Sequence, residues 1–233
     1  MKSKLAGLFA LVLSLSSVLA HAGVNVGATR VVYQAKQKEA SLSVTNSAED
    51  NIPYLIQSWV SEYGGSESSS DAFLITPPLF RLDPGSQNML RIMAIDKSVF
   101  ASDKESLFTV NVKAIPAKST DPAHQNVLQI AVKTSIKLFY RPEGLQGNLV
   151  DAVAGLKASA GQGRLHIQNP SGYHVVVSKL VVNGIERKGL LELIKPGESR
   201  IVDLPVRAGD TINLTYINEY GSAVEAPVKT LVN

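Results

Sequence analysis

Apolar and polar residues alternate with a period of two along most of this chain, and the longest such run lies near its middle. From 128 to 138 the even positions read Leu128, Ile130, Val132, Thr134, Ile136 and Leu138, with polar Gln129, Lys133, Ser135 and Lys137 between them. A β-strand turns successive side chains to opposite faces, so these six predict one apolar edge. The whole run, Asn126 to Pro142, is far longer than the usual strand of about 5–6 residues. A long apolar strand invites aggregation unless something covers it. Alternation alone leaves two covers open: the chain's own core, or the core of another protein.

Shorter runs recur through the first half. Strands are predicted near Val24–Tyr33, Ala40–Thr45, Tyr54–Val60, Phe73–Ile75, Met89–Ile95 and Leu107–Ile115. Turn residues separate them: Asn46-Ser47-Ala48, Tyr63-Gly64-Gly65-Ser66, Asp83-Pro84-Gly85, and the two prolines between Ala114 and Gln125. About seven short strands punctuated in this way fit an antiparallel sandwich of immunoglobulin-like size. A helical turn fits Asp96–Glu105, and no long amphipathic helix is predicted. After Arg141-Pro142-Glu143-Gly144 the pattern pauses and resumes at Arg164–Gln168, Val175–Val182, Leu190–Ile194, Arg200–Leu204, Thr211–Ile217 and Val228–Val232. The fold class is therefore all-β, with two sandwiches: residues 23–142, a hinge at 143–147, and residues 148–233. A short hinge after a long strand sets the two at an angle with a cleft between them.

The first 22 residues stand apart. Lys2 and Lys4, the apolar stretch Leu5–Leu19 and Ala20-His21-Ala22 read as a signal peptide cleaved before Gly23. An uncleaved anchor competes, but Ser14, Ser16 and Ser17 interrupt a stretch already short of the roughly 20 residues that span a bilayer. Export, and a protein not inserted in a membrane, follow. There are no cysteines, so neither disulfides nor thiolate zinc sites arise. The formal charge is +3, and removing Lys2 and Lys4 leaves +1, without a basic stripe for nucleic acid.

Motifs for catalysis are missing: no Gly-x-Ser-x-Gly elbow, no His-Glu-x-x-His pair and no phosphate-binding loop. Gly161-Gln162-Gly163 reads as a turn, and His124, His166 and His174 lack ligand spacing. The expectation is a protein that is no enzyme and carries no cofactor or metal. An adhesive, carbohydrate-binding sandwich would need exposed aromatics, but the single Trp59 sits mid-strand, where a core position is expected.

Seven blocks in order resemble the periplasmic pilus chaperones: Gly27–Tyr33 (GATRVVY), Pro53–Trp59 (PYLIQSW), Thr76–Phe80 (TPPLF), Glu105–Phe108 (ESLF), Asn126–Ile130 (NVLQI), Ile136–Pro142 (IKLFYRP) and Tyr216–Gly221 (YINEYG). The similarity spans the exported chain and is greatest to the chaperones of type 1 and P pili. The short spacer between Ile115 and Val127, with no cysteine, points to the short-loop branch.

This resemblance implies two immunoglobulin-like domains in an L or boomerang, located in the periplasm. The long strand would complete an unfinished pilin by donor-strand complementation, with Leu128, Ile130 and Val132 as the donated side chains. The complex would be one-to-one, and the subunit would pass to an outer-membrane usher. Arg30 and Lys137 would hold the pilin's C-terminal carboxylate, although Lys137 has the opposite parity to the donor residues and needs a bulge, a twist or another face. Glu105, Arg141 and Glu219 would form ion pairs between the domains, Glu219 standing where relatives more often have Asp. Leu55, Gln57, Thr76, Pro78 and Arg91 would meet the usher. The resemblance also raises a cis bond at Thr76-Pro77, an isomer adopted by only about 5–6% of X-Pro bonds in folded proteins.

Overall fold

Gly27 marks the first departure from the simple strand list. Its amide donates to the Ser43 carbonyl at 2.9 Å, and a Cβ there would lie 1.9 Å from Ser43 Oγ. A side chain here would force the Ser43 hydroxyl to turn away, and glycine avoids that. The chain breaks here, and one predicted strand becomes two. In the computed structural model, which describes residues 23–117 and 128–233, β1 (Val24–Val26) and β2 (Arg30–Gln34) join different sheets. The signal-peptide reading, and Asn126 and Val127 of the long run, lie outside the described residues.

The strands that follow are β3 (Ala40–Asn46), β4 (Tyr54–Glu62), β5 (Phe73–Thr76), β6 (Leu79–Leu82), β7 (Gln87–Ala94), β8 (Ser106–Pro116) and β9 (Val132–Arg141). One sheet runs β1-β3-β7-β5, and the other β2-β9-β8-β4-β6. Between them lies a core with Leu42, Ile56, Leu90, Ile92, Val110 and Leu138, all essentially inaccessible. Aromatics close one end of it: Tyr33 stacks on Tyr140 at 5.7 Å, and Phe73 meets Phe108 edge-on at 4.9 Å. Lys97–Val99 forms a single 3-10 turn within the stretch predicted helical. The Thr76-Pro77 bond is cis.

The second half opens with a helix the pattern did not predict, α1 (Leu149–Ala154), capped by Asn148 Oδ1 accepting from the Asp151 amide at 2.9 Å. Strands β10 (Lys157–Gly161), β11 (Arg164–Gln168) and β15 (Ser199–Pro205) make one sheet. The other is built on β12 (Val175–Val182) and β16 (Thr211–Ile217), with β13 (Ile185–Arg187), β14 (Leu193–Ile194), β17 (Ala223–Glu225) and β18 (Lys229–Thr230) on their edges. Leu165, Ile167, Leu180, Ile194, Ile212 and Leu231 fill this second core. The predicted strand at 190–194 shrinks to two residues, and β6, β10, β13 and β17 are additions. A small third cluster, Phe139 with Val176 and Leu193, joins the two halves.

Two further expectations change. Among the described residues the long run pairs as a strand only from Val132: residues 128–131 carry no strand pairing, and β9 is Val132–Arg141. Trp59 is not a core residue. It points to the outer face of its sheet, half-buried, and its indole donates to the Glu67 carbonyl at 2.8 Å.

Candidate functional site

β9 has two different edges. On one side it pairs without interruption with β8, from Ala114↔Val132 to Ser106↔Tyr140. On the other it meets β2 in parallel, and only from Arg30↔Lys137 to Gln34↔Arg141. Residues 132–136 therefore have an unpaired edge among the described residues, with a row of free backbone donors and acceptors.

The same boundary divides the apolar face. Ile136 and Leu138 are buried in the first core, at 8% and 0% exposure. Leu128, Ile130 and Val132, on the same alternation, are 85%, 64% and 60% exposed. The chain's own core thus covers the row beyond Thr134 and leaves the part before it exposed. The Gln129 side chain donates to the Pro116 carbonyl and keeps the exposed segment in line with β8.

Arg30 and Lys137 are register partners in the parallel β2–β9 pair. The β8–β9 register has no bulge, so Lys137 simply projects from the face opposite the exposed row. That face looks into a cleft of about 540 Å³, lined also by Val176, Lys179 and Glu192 of the second half. Arg30 Nη1 donates to the Ile217 carbonyl at 3.0 Å, while its Nε is buried with no partner. Burial holds the Arg30 guanidinium below its ordinary value. Burial and then repulsion from Arg30 lower Lys137, with Glu192 opposing. Two half-buried cations side by side, one with an unused donor, make a site whose electrostatics favour an added anion.

Glu105 is 5% exposed and sits where the two halves meet. Its Oε1 accepts from Arg141 Nε and Nη2 at 3.0 and 2.8 Å, while Arg141 Nη1 reaches Glu219 at 2.5 Å. Burial lowers Arg141, but Glu105 and Glu219 outweigh it and hold the guanidinium above its ordinary value. The longer Glu219 side chain therefore still reaches. One member escaped sequence reasoning: the His174 amide donates to Glu105 Oε2 at 2.8 Å, and its ring Nδ1 lies 3.4 Å from that oxygen. A backbone donor leaves no trace in composition or spacing, so no motif points to it.

The five remaining candidates wrap around an edge. Leu55 and Gln57 lie exposed on the outer face of β4. Thr76 and Arg91 are partners on the other sheet. Pro78 lies between the sheets, its carbonyl accepting from the Ser58 amide at 2.8 Å. Exposed Leu74 and Met89 share β5 and β7 with Thr76 and Arg91, and exposed Leu79 on β6 is the register partner of Gln57.

Among the described residues no group of His, Cys, Asp or Glu is arranged to hold a metal. No helix among them is long and apolar enough to cross a membrane.

Comparison with known proteins bears on this arrangement. Residues 23–146 match the family model for the N-terminal domain of pili and flagellar-assembly chaperones, and residues 151–227 match that for the C-terminal domain of pili assembly chaperones. A probable fimbrial chaperone of Escherichia coli O157:H7, LpfB, is 41% identical over 236 residues, covering 99% of this chain and 98% of the relative. The chaperone FimC of Escherichia coli K12 is 38% identical, with 94% and 88% covered. Among solved structures, the Salmonella enterica SafB chaperone in complex with the SafA pilin superposes with a TM-score of 0.77 at 31% identity, covering 89% of this chain and 96% of that one. The Escherichia coli chaperone DraB gives 0.74 at 34%, with the same coverage.

Proposed function

The chain belongs to the family of pilus-assembly chaperones, which are not enzymes, and from this premise we propose that it lends β9 and the segment before it to a pilin lacking a strand of its own. The single observation that carries this reading is the row Leu128, Ile130 and Val132, exposed beside an open strand edge. Main-chain bonds along 132–136 satisfy the pilin's orphan groups, while the three side chains fill its open core. Each contributes roughly 1.5–3 kcal/mol if buried like a core aliphatic, before ordering costs. The complex is one-to-one and passes to an outer-membrane usher through the edge around Leu55, Gln57, Thr76, Pro78 and Arg91.

Arg30 and Lys137 receive the pilin's terminal carboxylate and fix register, since a slip of one residue would turn every donor side chain outward. The topology also sets direction. The anchor lies at the 137 end of the open edge, and beyond it β2 already occupies β9. A guest ending at the anchor must therefore lie alongside 132–136 with its N-terminal side toward 132, parallel to β9. The protein works in the periplasm, after removal of residues 1–22, as two domains, 23–142 and 148–233, hinged at 143–147.

Paired substitutions on one strand test the strand assignment. Ile130→Ser places a hydroxyl where the pilin core accepts an aliphatic side chain, and Ile136→Ser does so in the chaperone's own core. Ile130→Ser should leave the melting temperature unchanged and weaken pilin capture at least about tenfold, equivalent to about 1.4 kcal/mol. Ile136→Ser should lower the melting temperature by several degrees. Thermal melts beside co-purification yields decide. A melting loss for Ile130→Ser equal to that for Ile136→Ser would remove the donor assignment.

A further inference from the structure

Lys133 lies on the donor strand, on the face opposite the donor side chains, and its register partner on β8 is Lys113. Like charges directly opposite on neighbouring strands are unfavourable. Here one carboxylate pairs with Lys133 and its field also reaches Lys113. Glu67, on the serine-rich loop after β4, pairs with Lys133 while its own side chain stays 77% exposed. Lys133 and then Lys113 hold Glu67 below the ordinary carboxylate value. The loop is pinned there by the Trp59 indole on the Glu67 carbonyl. An exposed acid brought across a sheet face to two opposed lysines occupies a site that would accept an acid from elsewhere.

The position of that site is readable from the proposed anchor. Lys133 and Lys137 are four residues apart on one face of β9, about 13 Å at 3.3 Å per residue. In a parallel guest, residues level with one another project to the same side. A guest whose last residue is level with Lys137 therefore presents the residue four before its last beside Lys133.

We propose that Lys133, backed by Lys113, is a specificity site that favours subunits carrying Asp or Glu four residues before their C-terminus, Glu67 standing in for that acid in the free protein. This rests on the carboxylate anchor proposed above, and the test separates the two. Short synthetic peptides of alternating apolar and polar residues, ending in a free α-carboxylate, are titrated into the full exported chain. Glu at the fourth position before the end should bind about three- to fivefold tighter than Gln there, the range of a partly exposed ion pair. Glu at the third or fifth position, facing the other side, should bring no gain. The preference should vanish in the Lys113→Gln/Lys133→Gln variant and grow in Glu67→Gln, where the competing acid is gone. Equal binding of the Glu and Gln peptides to the wild type, or a preference that survives loss of both lysines, would overturn the proposal while leaving the anchor standing. Equal binding of free-acid and amidated peptides would remove the anchor itself, and the proposal with it.

Discussion

Lys137 shows how a single side chain can pull stability and function in opposite directions. Burial and the neighbouring Arg30 hold its ammonium below the ordinary 10.5. The folded protein therefore binds this proton less well than the unfolded chain, and folding gains stability as pH rises from the folded value toward 10.5. Carboxylate capture needs the proton, so it weakens across the same window. Complex yield should fall with rising pH there, while the free protein melts no earlier. Lys137→Met should abolish capture at neutral pH, leave a free protein that melts no lower than wild type, and flatten this part of the pH dependence. Capture that stays flat through the window would remove Lys137 from the anchor. At this scale the sequence was legible only where a motif carried the residue. Arg30, Lys137, Glu105, Arg141 and Glu219 came through the resemblance, and the odd parity of Lys137 was resolved only when β9 proved regular. His174 stayed hidden because it acts first through its backbone.

Among the elements, long alternating strands were readable; of the short ones β5 and β11 were predicted, while β6, β10, β13 and β17 were not. β3, β4, β7, β8 and β16 carry enough period-two signal to stand alone. β10, with the sequence Lys-Ala-Ser-Ala-Gly, has almost none and exists through its pairing with β11. α1 is held by its Asn148 cap and the buried Leu149, Ala152 and Val153, too short a stretch for a 3.6-residue period to emerge. Trp59 misled because alternation reports that a strand has two faces, not which one a loop will cover. The usher assignment belongs at this scale, since its residues sit on β4, on β5, on β7 and at the crossing by Pro78. Arg91 contributes only a loose surface pair with Glu39 at 3.8 Å, so little stability rides on it. Substituting Pro78 and Arg91 should leave chaperone–pilin complexes at wild-type yield while fibre assembly on cells drops. Failure of the complexes to form would move these residues into the fold or the pilin site.

For the whole molecule, the joint between the halves is the feature under most strain from mutation. Glu105 accepts from both sides, and its amide donates to the Gly172 carbonyl at 2.8 Å. A Cβ on Gly172 would lie 2.7 Å from the Asp103 carbonyl, so the halves approach as closely as backbone allows. Arg141→Ala leaves a buried carboxylate without its main partner and should cost about 3–5 kcal/mol in chemical denaturation. Replacing Glu105 and Arg141 together by Met should recover most of that loss, because an apolar pair of similar volume is often no less stable. The double variant should still capture pilin poorly, since the charge-assisted bonds that help fix the angle at which Ile217 meets Arg30 are gone while only the apolar cluster and the backbone contact remain. Full capture by it would reduce the ion pairs to a stability role.

The arrangement of β2 and the open edge has a consequence in time. β2 closes one end of the vacant lane like a buffer at the end of a track, and the two cations stand at the buffer. A segment from the interior of a chain has nowhere to continue past that point and no α-carboxylate to offer. On the anchor proposed above, only a chain that has been released carries the group the site asks for. A still-emerging subunit has no α-carboxylate to present, so under that proposal capture waits until the last residue is through, and every captured subunit has already shown it.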